Sequence, residues 1–83
     1  MECGLYFVKD EKAGCLTPYC QHNDEVAKRE FAYLFESNSS SKMAPFPNDF
    51  SLWRAGTFCF ETGLITDCNP VLLMRGSDVN VQN

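Results

Sequence analysis

The chain is poor in positive charge: seven lysines and arginines stand against eleven aspartates and glutamates, for a net charge of -4. Sequence-independent affinity for polyanions comes mainly from Lys and Arg neutralising phosphates. The balance therefore excludes a general polyanion binder and leaves room only for a local basic face. Imidazole is nearly absent, with His22 the sole histidine. General-base chemistry needs such a ring within reach of its proton and a group to orient it. His22 lies in a polar stretch and reads as a surface or capping residue. Long apolar runs are missing too. Leu5 to Val8 is an apolar run of 4 residues, against the ~20 that span a bilayer, so no membrane segment is expected. Met1-Glu2-Cys3 lacks the basic start and apolar stretch of a secretion signal, and the protein is expected to stay in the cytoplasm. The phosphate-cradling GxxxxGK(S/T) loop, the GxGxxG turn and the HExxH helix do not occur. An enzyme is not expected, and no catalytic residue is nominated.

Cysteine is present but without a pattern. Cys3, Cys15, Cys20, Cys59 and Cys68 make an odd set with no CxxC pair. An odd count without a secretion signal favours free thiols in a reducing compartment over a disulfide framework. Zinc on Cys15, Cys20, His22 and one distant cysteine is a poor match to structural ligand spacings, so no metal and no cofactor are expected.

What is there suits one small globular domain. The 83 residues are 45% hydrophobic and 13% aromatic, with seven Phe, three Tyr and one Trp. That lies outside the low-hydrophobicity, high-charge range of disordered chains, and large rings bury much area per residue. Leu5-Tyr6-Phe7-Val8 reads as a first strand. Residues 11–22 read as irregular, interrupted by Gly14 and Pro18. Asn23 can cap a helix over residues 24–36, with Asp24 and Glu25 at the positive end of its dipole. Ala27, Phe31, Leu34 and Phe35 form its apolar stripe, and Glu25 with Arg29 makes an i,i+4 pair. Ser37 to Ser41 reads as a flexible linker, extended by Pro45 and Pro47.

Residues 50–60 alternate with period 2 and read as a long strand. Phe50, Leu52, Gly56, Phe58 and Phe60 share one face; Trp53, Ala55, Thr57 and Cys59 share the other. Gly56 in its interior suggests a bulge or a close backbone approach. Glu61-Thr62-Gly63 is a turn signal leading to Leu64-Ile65-Thr66 as a hairpin partner. Asn69-Pro70 breaks that strand, and residues 71–74 supply another. The expected fold class is α+β: one helix packed on a small, mostly antiparallel sheet of three to four strands. Residues 1–75 are expected to form the compact domain, and residues 76–83 a polar tail.

The residues that invite a binding role are cations beside aromatics. Lys9 and Lys12 follow Tyr6 and Phe7, and Arg54 follows Trp53. Such pairs are the ingredients of single-strand recognition, in which rings stack on bases and cations meet phosphates. From composition alone the favoured reading is the other one, core rings and solubilising surface charges, because the net charge opposes polyanion binding.

One ordered set of residues adds to this. Phe7-Val8-Lys9-Asp10 is followed by Lys12-Ala13, Pro18, Asn23-Asp24, Val26-Ala27, Arg29 and Phe31. Later come Phe46-Pro47, Asp49-Phe50, Leu52, Gly56-Thr57-Phe58, Thr62-Gly63 and Pro70. Together these resemble the small nonstructural protein family of gokushoviruses, single-stranded DNA bacteriophages of the Microviridae, over residues 5–72. The five cysteines and the Ser39-Ser40-Ser41 insertion depart from the usual pattern. The resemblance implies a protein made in the cytoplasm of the infected bacterium and absent from the mature virion. It also implies a counterpart of the microvirus C protein, which steers viral DNA synthesis toward packaging-coupled single strands. Direct DNA contact would then fall to Lys9, Lys12, Lys28, Arg29 and Arg54, with Tyr6 and Trp53 as stacking rings. The partners implied are single-stranded DNA and the phage replication-initiation complex. The other reading is an adaptor that captures a host defence or replication protein, and a homo-oligomer formed through the long strand is compatible with both.

Overall fold

A computed structural model describes residues 1–36 and 41–79. The elements are β1 (Glu2–Asp10), β2 (Gly14–Cys15), β3 (Tyr19–Gln21), α1 (Asp24–Tyr33), β4 (Phe50–Cys59), β5 (Ile65–Thr66) and β6 (Val71–Arg75). Short 3-10 turns cover Pro47–Asp49 and Gly76–Asp78. β1 and β4 pair antiparallel down the centre of the sheet. β2 and β3 share the outer edge of β1, and β5 and β6 share that of β4, all antiparallel.

Among the described residues the fold is α+β with one α-helix, but the sheet has six strands, not three to four. It has four lateral rows, and each outer row is broken in two. Pro18 precedes β3 and Pro70 precedes β6, and neither can donate to a ladder. Residues 11–22, which read as irregular, thus contain β2 and β3. Strands of two or three residues carry too short an alternation to be seen in a sequence.

Side-chain direction on the central strands follows from their register. Val8 faces Leu52 and Phe7 faces Trp53, so Tyr6, Val8 and Leu52 point to one side and Phe7 and Trp53 to the other. The first side packs under α1. Tyr6, Val8, Leu52, Ala27, Phe31 and Phe35 form the buried cluster, with Leu34, Phe50, Leu73, Met74 and Val79 packed against it.

The ladder slips by one residue. Leu5 faces Gly56 while Tyr6 faces Arg54, leaving Ala55 as the extra, bulged residue. A one-residue slip exchanges the two faces of a strand. Past the bulge Thr57, opposite Gly4, joins Leu52 and Arg54 under the helix. Phe58, opposite Cys3, joins Phe7 and Trp53 outside. The simple alternation therefore assigns Thr57, Cys59 and Phe58 to the wrong sides. The signal it did carry was Gly56: a Cβ there would sit 2.8 Å from the Thr66 carbonyl oxygen, so the strand carries both a bulge and a close approach.

Asn23 caps α1 as its position suggests. Its backbone is extended (φ -160°, ψ 174°), and its Oδ1 accepts from the Val26 amide at 2.9 Å. The regular helix ends at Tyr33, short of residue 36, because the chain tightens into i→i+3 bonds. The amides of Leu34 and Phe35 donate to the carbonyls of Phe31 and Ala32. This tighter turn still delivers Phe35 to the core, where its ring meets Phe31 edge-on at 5.0 Å. Glu25 pairs with Lys28 at 3.5 Å, one position short of the expected Arg29 partner.

A polar cluster ties the first turn of α1 to the sheet. The Tyr6 ring lies over Gly4, where a Cβ would overlap the phenol. Its hydroxyl donates to Asp24 Oδ1 at 2.7 Å. Arg54 Nη1 lies 3.6 Å from that same oxygen, and Arg54 Nη2 donates to Thr57 Oγ1 at 2.7 Å. Burial, and then the neighbouring Asp24 carboxylate, push the Tyr6 hydroxyl well above its ordinary pKa.

Packing continues past the boundary expected at residue 75. Gly76 is buried and Val79 lies against the core, so the compact unit extends at least to residue 79. The rest of the expected tail, residues 80–83, and most of the expected Ser-rich linker, residues 37–40, lie outside the described residues.

Two outcomes follow. Leu52 is fully buried at the centre of the cluster, so Leu52→Ala should cost about 2–5 kcal/mol in urea unfolding, through lost burial and the cavity left behind. Tyr6→Phe should cost about 1.5–3 kcal/mol at neutral pH, the range for a hydrogen bond to a charged group. Because folding raises the Tyr6 pKa, its contribution is complete below the unfolded value near 10.0 and is lost as pH climbs beyond it. Wild type should therefore lose stability more steeply than Tyr6→Phe above that pH in equilibrium unfolding.

Candidate functional site

The side of the sheet opposite α1 carries a row of apolar side chains. Leu5, Phe7, Trp53, Phe58 and Leu72 are all half-buried, and none belongs to the cluster beneath the helix. The register sets them in order: Phe7, Trp53 and Leu72 form one transverse row. Cys3, Phe58 and Ile65 form another, with Leu5 and Gly56 between the two. The Phe7 and Trp53 rings are parallel to within 3°, with centroids 6.2 Å apart, an offset stack favoured by the ring quadrupoles. The Trp53 indole donates from Nε1 to Ser51 Oγ at 2.8 Å, which fixes the plane of the ring. Phe58 meets Phe60 edge-on at 5.4 Å, and Ile65 is 48% exposed.

The cations of this face gather at one end. Lys9 Nζ lies 6.0 Å from the centre of the Trp53 ring, at the outer limit of cation–π attraction, and 3.9 Å from Glu11. Lys9, Ser51 and Arg75 pair in one transverse row, so Arg75 shares the face with Lys9 and Trp53. Lys12 is not among them: in the turn after β1 its amide is held by Asp10 Oδ1 at 2.9 Å, and it borders a cavity with Asp10, Asp49 and Phe50 on the helix side. A positive end thus adjoins a stacked aromatic pair, which adjoins an apolar end at Leu5, Phe58 and Ile65.

Of the seven residues that the sequence nominates, the structure brings Lys9 and Trp53 together on this face. The other five are not on it, and Lys12 borders the cavity of Asp10 and Phe50 on the helix side. Tyr6 has no exposed surface, so its ring offers nothing for a base to stack on. Arg54 is held by Asp24, Thr57 and the Gly56 carbonyl beneath the helix. Lys28, paired with Glu25, and the exposed Arg29 stand on α1, across the sheet from Trp53. Phe7, Phe58 and Arg75 are what sequence reasoning left out. Phe7 was detectable as the neighbour of Tyr6 on the opposite face of one strand. Arg75 was not, because β6 carries its own slip at Leu73: Leu52 faces Met74 while Trp53 faces Leu72.

A second concavity of about 380 Å³ opens at the start of α1, lined by residues that include Glu2, His22, Asp24, Glu25, Arg54 and Thr57. Its one guanidinium is already engaged, and three carboxylates surround it. Among the described residues, no group of three or more His, Cys, Asp or Glu is gathered as a metal would require. No helix among them is long and apolar enough to cross a membrane.

Neither a curated protein nor a solved structure matches the chain. A family profile does, described as phage ORF5 protein, and it spans residues 3–79. That span takes in every strand but the first residue of β1, together with α1 and both turns. The chain belongs to the phage ORF5 protein family.

Proposed function

We propose that this protein is a non-enzymatic phage accessory factor that regulates viral single-stranded DNA synthesis or packaging, and that it binds single-stranded DNA on the outer face of its sheet. The observation that carries this reading is the stacked Phe7–Trp53 pair with Lys9 and Arg75 in the neighbouring row. A flat aromatic pair fixed by Ser51 accepts any base, and cations at its margin meet the phosphates on either side. The acidic balance of the whole chain suits a modest, local electrostatic contribution. In this reading the protein is a gokushovirus nonstructural protein that acts in the cytoplasm of the infected bacterium, outside the virion, alone or with the replication-initiation complex.

The second reading, an adaptor for a host protein, is favoured by the apolar end of the same face at Leu5, Phe58 and Ile65. An apolar patch with a charged margin is the usual form of a protein docking surface.

Trp53 is the only tryptophan, so its fluorescence reports the face directly. Titration with oligothymidylate should quench it, and Phe7→Ala should weaken binding roughly 5- to 150-fold, the equivalent of ~1–3 kcal/mol for one stacked base. Unchanged fluorescence with no binding at low salt would make the adaptor reading the lead. In anisotropy titrations across salt, Lys9→Ala with Arg75→Ala should flatten the salt slope by roughly 1.4, at about 0.7 per phosphate on a single strand. Lys28→Ala with Arg29→Ala, on the helix, should leave that slope unchanged. Equal effects from the two pairs would remove the assignment to the outer face.

A further inference from the structure

Two of the five thiols share a face and a cleft. Cys20 on β3 faces Leu5 on β1, and Cys3 lies two residues before Leu5 on the same strand. Cys3 and Cys20 are therefore diagonal neighbours on one side of the sheet. Both line a concavity of about 220 Å³, together with Glu2, His22 and Phe60. Their exposures differ: Cys3 is 7% exposed and Cys20 is open to solvent. The remaining thiols are elsewhere. Cys15 faces Lys9, six residues along β1 from Cys3, or roughly 20 Å at ~3.3 Å per residue. Cys59 faces Glu2 and so points to the helix side. Cys68 is exposed beyond β5, with its sulfur against the Ile65 carbonyl.

We propose that Cys3 and Cys20 form a thiol–disulfide exchange site that takes up a small-molecule disulfide of the glutathione type and closes into a bond between β1 and β3. This is independent of the DNA reading. The exposed Cys20 thiolate attacks one sulfur of the small disulfide, giving a mixed disulfide on Cys20 and releasing one small thiol. The Cys3 thiolate then attacks the Cys20 sulfur, forming the Cys3–Cys20 bond and releasing the second small thiol. The two thiol protons end on the two released thiols, and the small disulfide takes the two electrons. Exposure orders the two steps: Cys20 is open to an incoming disulfide, while buried Cys3 is reached by the sulfur of Cys20 beside it.

Geometry permits the closure. Diagonal neighbours on one face stand ~7–8 Å apart between Cα atoms, and a disulfide takes ~4.4–6.8 Å. β3 must therefore slide along β1 by about 1 Å, since paired strands already stand at their contact separation of ~4.7–4.9 Å. The shift works against Tyr19, packed on the core, and the 2.6 Å hydrogen bond from Gln21 to Glu30, and it is the three-residue ladder to β1 that gives.

The test exposes the reduced, folded chain to excess oxidised glutathione, traps the remaining thiols by alkylation, and maps disulfides after chymotryptic cleavage. Cuts at Leu16 and Tyr19 separate Cys15 from Cys20. A Cys3–Cys20 link that dominates over Cys3–Cys15 and Cys3–Cys59 is the expected result. A parallel sample with Cys15→Ser, Cys59→Ser and Cys68→Ser should lose two hydrogens in intact mass and retain no glutathione. Glutathione that stays on Cys20 while Cys3 remains open to alkylation under denaturing conditions would overturn the proposal. So would links spread evenly over the five cysteines of the wild-type chain.

Discussion

The pairing of β1 with β4 is the constraint on which the other features depend. It runs from Glu2 opposite Cys59 to Asp10 opposite Phe50, and it forms the two inner rows of the sheet. Because side chains alternate along each strand, this one register decides both sides at once. It sets Tyr6, Val8 and Leu52 against α1, and it sets Phe7 against Trp53 on the far side. A slip of one residue at either end would exchange core for surface. The bulge at Ala55 makes such a slip once, and uses it. Before it, Arg54 turns inward to meet Asp24; after it, Thr57 turns inward to meet Arg54. The polar cluster that anchors the helix is therefore a product of the bulge.

That cluster also explains why a polar group can sit so close to the core. The Tyr6 hydroxyl, the Asp24 carboxylate, the Arg54 guanidinium and the Thr57 hydroxyl satisfy one another. No buried side-chain nitrogen or oxygen among the described residues lacks a partner. An unsatisfied group in this position would cost more than its hydrogen bond returns. Gly4 makes the arrangement fit, since any side chain there would collide with the Tyr6 ring.

The large elements were legible because each has a local signal. Asn23 followed by Asp24 and Glu25 marks a helix start, and Ala27, Phe31 and Phe35 mark its buried side; all of these stand where the pattern puts them. The long strand and its turn at Gly63 were equally plain. Register was not legible, because it is set between strands far apart in the chain. Two slips, at Ala55 and Leu73, hide from any period. For that reason Tyr6 and Arg54 looked like surface groups beside a strand, while they are in fact central to the packing. The same ignorance of register concealed Arg75, which only the pairing with Ser51 brings beside Lys9.

What remains on the far side is a sheet face with stacked rings in its middle, cations at one end and apolar side chains at the other. Membership of the phage ORF5 protein family places the chain among phage proteins, and single-stranded DNA on this face is the ligand we propose. The most direct test is nuclear magnetic resonance of the isotopically labelled chain, titrated with an oligothymidylate of about ten nucleotides, within the ~4–16 that small single-strand-binding domains occupy. The account predicts shifts at the rings of Phe7 and Trp53, at Lys9 and at Arg75, with Lys28 and Arg29 on α1 left unmoved. Shifts centred on α1, or none at all at low salt, would contradict it.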